Sequence, residues 1–168
     1  MIKNTITDKK KETTQKIRVG IDYVGITTSF YCHDGDNNFV FALRNKNCRD
    51  EHGCWDPGAG SLEVGNTLRE NVLKEIKEEY GCEGVIEEWL PPVTIIRKHE
   101  GQITHWIAIG AFVRVKRGEV KIMETHKFDD LIWRPLTDLP QPLHSGFQYH
   151  FNKQKNIFKK YFPNNNLK

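Results

Sequence analysis

The stretch Thr67 to Gly81, TLRENVLKEIKEEYG, carries its own start and stop signals, and it constrains the fold more than any other part of the chain. Thr67 and Glu70 make the S/T-x-x-E pattern, in which a hydroxyl and a carboxylate cap two backbone amides reciprocally. Gly81 suits the left-handed turn that ends a helix. Between these signals, at about 100° per residue, Val72, Ile76 and Tyr80 share a face with Leu73, so one stripe packs on a core. Glu75, Glu78 and Glu79 fall together on the neighbouring face. Like charges at i, i+4 weaken an isolated helix. Either Lys74 and Lys77 offset the crowding on a solvated face, or the acids serve a ligand that needs them. A divalent cation is such a ligand, because hard ions such as Mg²⁺ take carboxylate oxygens and fill their shell with water and substrate phosphate.

The residues ahead of the helix, PGAGSLEVGN, place Gly58, Gly60 and Gly65 in its approach. Glycine lets backbone come close to a ligand or take positive φ. Upstream, IRVGIDYVGITTSFYC is rich in β-branched and aromatic residues, HDGDNN supplies turn chemistry, and FVFALR completes a hairpin. NKNCRDEHGCWDPGAGSLEVGN then reads as one long loop, and long loops in compact domains are commonly functional. VTIIRK and ITHWIAIGAFVRVK form a second hairpin around HEGQ, and LIWRPL is a further strand. The last element, GFQYHFNKQKNIFKKYF, spaces Phe147, Phe151, Phe158 and Tyr161 as a helix, with Ser145 and Gln148 as its capping box. Strands, a helix, more strands and a final helix predict a mixed α/β (α+β) sandwich rather than a βαβ repeat. The 168 residues suit one domain, over residues 17–162, between a mobile tail at 1–16 and a frayed terminus at 163–168.

A net charge of +3 is too small to suggest nucleic acid or an acidic membrane as a stable partner. No apolar run approaches a membrane span, and the lysines of the N-terminus precede no apolar signal core. Four cysteines at irregular spacing suggest no disulfide framework, so a reducing cytoplasm is expected. A homodimer is compatible with the sequence without being demanded by it.

From Gly60, five residues lead to Asn66, seven more precede Lys74, and Glu75, Glu78, Glu79, Gly81 and Cys82 follow. This pattern resembles the Nudix box, G-x5-E-x7-R-E-U-x-E-E-x-G-U, where U is aliphatic. FVFALR before it, CWDPGAG leading in and DDLIWRPLTDLP after it are also similar to that family. Asn66 stands where the family usually has glutamate and Lys74 where it has arginine, while Ala59 interrupts the usual paired glycines. Lys74 keeps a positive charge but lacks the planar fork expected to hold Glu75.

The resemblance implies a Nudix-like α/β/α sandwich with a mixed central sheet. It also implies Mg²⁺- or Mn²⁺-dependent hydrolysis of the pyrophosphate linkage of a nucleoside triphosphate or nucleoside diphosphate derivative. Glu75 and Glu79 are then the principal metal ligands, Glu78 supports them, and the carbonyl of Ala59 adds a backbone ligand. The base that deprotonates water is left open between Glu75 and Glu124. Arg44 is a candidate phosphate contact, and Phe30, Tyr31, Trp55 and Trp106 are candidates for the base pocket, each with a core role as its alternative. Two further readings stay open by resemblance: a binding module with little turnover, and a prenyl-diphosphate isomerase. Cys48, His52 and Cys54 form C-x3-H-x-C, which invites zinc with Cys32 or His33 as fourth ligand, although the spacing is that of no common finger or ribbon. Ser145 with His144 or His150 lacks the G-x-S-x-G elbow of a serine hydrolase.

Overall fold

The computed structural model describes residues 17–99 and 101–162. The expected N-terminal tail and frayed C-terminus lie outside them. Strand β1 (Gly25–His33), β2 (Asn38–Arg44), β3 (Trp55–Asp56) and β4 (Ala59–Ser61) precede helix α1 (Leu68–Tyr80). Strands β5 (Gly84–Trp89), β6 (Val93–His99), β7 (Gln102–Val115) and β8 (Phe128–Pro135) follow, then helices α2 (Ser145–Lys153) and α3 (Lys155–Phe158). All eight strands join one mixed sheet whose spine is β7. β1 runs parallel to β7 from Gly25↔Trp106 to His33↔Arg114, while β5 and β6 pair with it antiparallel. β4 lies antiparallel on β1, and β8 and β3 on β2.

Alternation along the strands divides the core in two, since successive side chains point to opposite faces. Phe30, Cys32, Val40, Ala111 and Val113 face α1 and bury Val72, Ile76 and Tyr80. Their neighbours Tyr31, Phe39, Phe41 and Phe112 face the other way, onto Phe147, Phe151 and Phe158 of α2 and α3. The result is the α/β/α sandwich with a mixed central sheet. No helix among the described residues is long and apolar enough to cross a membrane.

Helix α1 forms as its sequence requires. Thr67 Oγ1 accepts from the Glu70 amide and Glu70 accepts from the Thr67 amide, and Gly81 closes the helix at φ 67°. The hairpin of β6 and β7 is present as well.

Other expectations need correction. The first strand begins at Gly25, not Ile17, because Asp22 accepts from the Arg18 amide at 2.8 Å and pairs with its guanidinium, closing a turn. The long loop contains β3 and β4, and Gly84–Trp89 is a strand the residues did not announce. The capping box at Ser145 and Gln148 does not form: His144 is the N-cap, without a side-chain bond, and Ser145 Oγ bonds Glu51 instead. The final helix also breaks at Gln154, whose side-chain amide donates to the Pro91 carbonyl.

Candidate active site

The approach to α1 is built around a glycine. β4 pairs Gly60 with Thr28, and the Gly60 carbonyl accepts from Thr27 Oγ1 at 3.0 Å. A Cβ on Gly60 would lie 2.0 Å from the Glu75 carboxyl carbon, so any side chain there would evict that carboxylate. Gly58, at φ 116°, would likewise drive a Cβ into the Phe30 ring. Asn71, fully buried on α1, fastens the segment: its amide donates to Thr28 Oγ1 at 2.9 Å and to the Ser61 carbonyl, and its oxygen accepts from the Glu63 amide. Asn66 sits beside it, 3.4 Å from the Asn71 oxygen. Helix and loop are thus clamped at the depth where Glu75 and Glu79 emerge.

Those two carboxylates enter a cleft of about 290 Å³, with Ala59, Gly60, Asp56, Arg44, Lys127 and His144 also on its walls. Glu79 is 5% exposed, and its Oε2 has no hydrogen-bond partner among the described residues. Burial, reinforced by Asp56, Glu75 and Glu124, raises its pKa well above the usual carboxylate range. Glu75 is half-buried and also raised, again chiefly by burial, with Lys74 opposing the shift. A buried carboxylate without a partner is costly, and a cation would relieve it.

The donor set fits a hard divalent ion. Among the described residues no three His, Cys, Asp or Glu side chains converge as a metal cluster. Two carboxylates, one with a free buried oxygen, and main-chain oxygen at Ala59 still match ions that keep several waters and take substrate phosphate.

The structure separates the third glutamate from the other two. Glu78 is exposed, lies outside the cleft lining and pairs with Lys74 at 3.0 Å. Lys74 bonds Glu63 at 3.1 Å as well, and makes no hydrogen bond to Glu75, so its expected grip on that residue is absent. Arg44 reaches the cleft wall, but its fork is engaged by the Asp50 carbonyl, Asp50 Oδ1 at 2.9 Å and Asp56 at 3.3 Å. Glu124 lies outside the cleft lining and pairs at 2.8 Å with Lys127, which is part of that lining.

A smaller cavity of about 60 Å³ adjoins the cleft, sharing Thr27, Arg49, Asp56, Ala59 and His144 with it. Tyr31, Ile95, Trp106 and Phe147 give it apolar walls. Of the aromatic candidates, Tyr31 and Trp106 therefore border a cavity, Phe30 is core, and Trp55 packs on the cluster beneath α2. The zinc constellation is otherwise occupied. The Cys48 thiol donates to the Lys127 carbonyl, His52 bonds the Cys48 carbonyl at 2.9 Å, and Cys32 is buried in the core. His150 bonds Tyr31 Oη at 2.7 Å, and Ser145 is bound to Glu51, so no serine–histidine pair exists there.

Asn71, Asp56, Lys127, Arg49 and Arg97 escaped the reading of the residues. Asn71 carried one legible signal, an amide in the apolar arc beside Val72.

The profile of the NUDIX domain matches residues 25–154, and the chain belongs to the Nudix family. It is 28% identical over 139 residues to the mouse (Mus musculus) 8-oxo-dGDP phosphatase NUDT18, covering 80% of this chain and 39% of that protein. The chain thus spans well under half the length of that relative. The MutT Nudix hydrolase of Burkholderia pseudomallei superposes with a TM-score of 0.66 at 25% identity, over 79% of this chain and 98% of its own. The MutT protein of Methanosarcina mazei Go1 has the same fold, with a TM-score of 0.67 at 22% identity, over 81% and 96%.

Proposed function

We propose that the protein is a Mg²⁺- or Mn²⁺-dependent pyrophosphohydrolase of a nucleoside triphosphate or nucleoside diphosphate derivative. The observation that carries this reading is the buried carboxylate of Glu79, with an unpartnered oxygen, beside Glu75 in a cleft that strand β4 lines at Gly60. Glu75 and Glu79 would hold the ion with the Ala59 carbonyl, and Glu78 would act only through the charge it adds behind them. When bound, the ion lowers the pKa of water and neutralises diphosphate charge. Lys127, also in the cleft lining, balances the phosphate charge, and Arg44, held by Asp50 and Asp56, shapes the cleft. Glu75 or Glu124 takes the proton from the attacking water. The apolar cavity next to the cleft receives the base.

The mouse relative acts on an oxidised guanine nucleotide, so 8-oxo-dGDP belongs in the first panel with ordinary nucleoside di- and triphosphates. Release of nucleoside monophosphate with Mg²⁺ or Mn²⁺, and none with chelator, is the expected result. Binding without turnover at any metal would identify a nucleotide-binding module instead. Conversion confined to a prenyl diphosphate would move the chain to isomerase chemistry.

A further inference from the structure

Arg49 stands where three spaces meet. It borders the acidic cleft, the apolar cavity behind it and an outer groove of about 220 Å³ next to Val19 and Thr104. Its guanidinium carbon lies 4.7 Å from the centre of the Trp106 ring. The two partners differ in freedom. Trp106 is 6% exposed and wedged by backbone, since a Cβ on Gly20 or Gly25 would come within 2.3 and 2.4 Å of the indole. Arg49 has a side chain 62% exposed, no side-chain hydrogen bond among the described residues, and a single ion pair at 3.8 Å, to adjacent Asp50. Arg44 and Arg97, nearby, are 14% and 15% exposed and tied by several bonds each.

The inner cavity, about 60 Å³, falls far below the roughly 300–1,000 Å³ of ordinary small-molecule sites. The guanidinium is the loosest part of its wall, and it lies on the flat face a base would use. We infer that Arg49 is the gate of the nucleobase site. A purine displaces the guanidinium from Trp106, stacks on the indole in its place, and Arg49 closes over the purine's outer face. This inference rests on the nucleotide reading above. It adds a preference for purines, whose larger ring system replaces more of the contact that is given up.

The test uses the full chain and calorimetry without metal, with guanosine monophosphate and inorganic pyrophosphate as probes. Arg49→Ala should weaken guanosine monophosphate about tenfold or more, on the scale of losing one base-stacking partner, and leave pyrophosphate unchanged. Arg49→Lys should not restore the loss, because lysine has no planar face to stack. Both variants change an exposed side chain, so folding is preserved and circular dichroism verifies it. In turnover assays Arg49→Ala should raise KM for purine nucleotides more than it lowers kcat. Equal weakening of both probes would make Arg49 a phosphate contact and overturn the inference. So would unchanged guanosine monophosphate affinity, full rescue by lysine, or failure of the wild type to bind guanosine monophosphate. Absence of hydrolysis at any metal would sink the hydrolase reading alone, because the calorimetric comparison needs no turnover.

Discussion

Charge on the two sides of the site is in opposite conditions. On one side Arg44, Asp50, Glu51, Arg97 and Ser145 form a wall that satisfies itself and lines the cleft only at Arg44. Arg97 donates to Glu51, Asp50 and Ser145, and Glu51 accepts from the Ser145 amide and hydroxyl. On the other side, among the described residues, Glu75 has no cationic hydrogen-bond partner and Glu79 keeps an oxygen with none at all. Acidity follows suit. Burial raises all four carboxylates, yet His144, Arg49 and Arg44 hold Asp50 well below the ordinary range, and Ser145, His144 and Arg97 lower Glu51. Glu75 and Glu79 stay raised, because the fields of Lys74 and Lys127 do not offset burial there. Paired buried charge builds a wall, and unpaired buried charge waits for a ligand.

The sharpest way to break this comparison is Glu79→Gln. The substitution keeps shape and removes the charge, so it should cost activity by about 10²-fold or more, the scale of losing one major electrostatic stabiliser. The metal-free protein should be no less stable, because a buried unpaired charge has gone. Glu78→Gln, on the exposed face, should change turnover far less. Steady-state rates at saturating Mg²⁺ and melts in chelator decide it, and equal losses at the two positions would return both acids to a solvated helix face.

The paired wall should behave in the reverse way. Arg97→Met takes the guanidinium from Glu51 and one of two bonded guanidinium groups from Asp50, which keeps Arg44, and removing one partner of a buried charge network costs up to about 3–5 kcal/mol. Denaturant midpoints should fall on that scale, before any effect on chemistry is considered. The same wall sets an acid limit. Asp50 and Glu51 have folded pKa values below their unfolded ones, so their contribution is complete above the ordinary carboxylate range, near pH 4. It is lost as pH falls through that range toward the folded values. Acid unfolding of wild type should therefore steepen below about pH 4, and Arg97→Met should flatten the part that Glu51 contributes. An acid limb identical in the two proteins would show that Arg97 is not what lowers Glu51.

What the residues disclosed and what they hid divide by range of interaction. Helix α1, its caps and the acid spacing were legible because each depends on neighbours within four positions. The separation of Glu78 from Glu79 was not, since a rotation of about 100° becomes the difference between water and core only once the sheet, with Gly60 in β4, packs on one side. The Ser145 cap was misread because Glu51, 94 residues away, takes the hydroxyl. Strand β5 hid because polarity does not follow its alternating burial: Val85 and Trp89 stand on the exposed face and Glu88 on the other. Arg49 and Asp50 lie in a segment that composition marked only as loop, and Arg97 in a strand whose partners lie far along the chain, so their contacts came from tertiary structure alone.

The smallest expected effect concerns Lys74, which tests whether the surface side of α1 belongs to the site at all. A lysine in place of the usual arginine invites the expectation that Lys74→Arg would grip Glu75 better and raise turnover. The structure points elsewhere: the ammonium is shared by Glu63 at 3.1 Å and Glu78 at 3.0 Å, and both acids are about half exposed. Exposed pairs of this kind are individually weak. Lys74→Ala should accordingly change kcat/KM far less than Glu79→Gln, and Lys74→Arg should leave it near wild type. What influence remains is the field that Lys74 exerts on Glu75, which opposes the effect of burial there. That field is screened by salt, so any small loss in Lys74→Ala should shrink as ionic strength rises. A loss as large as that of Glu79→Gln, insensitive to salt, would show that the lysine reaches the cleft during turnover and that the two faces of α1 are not independent.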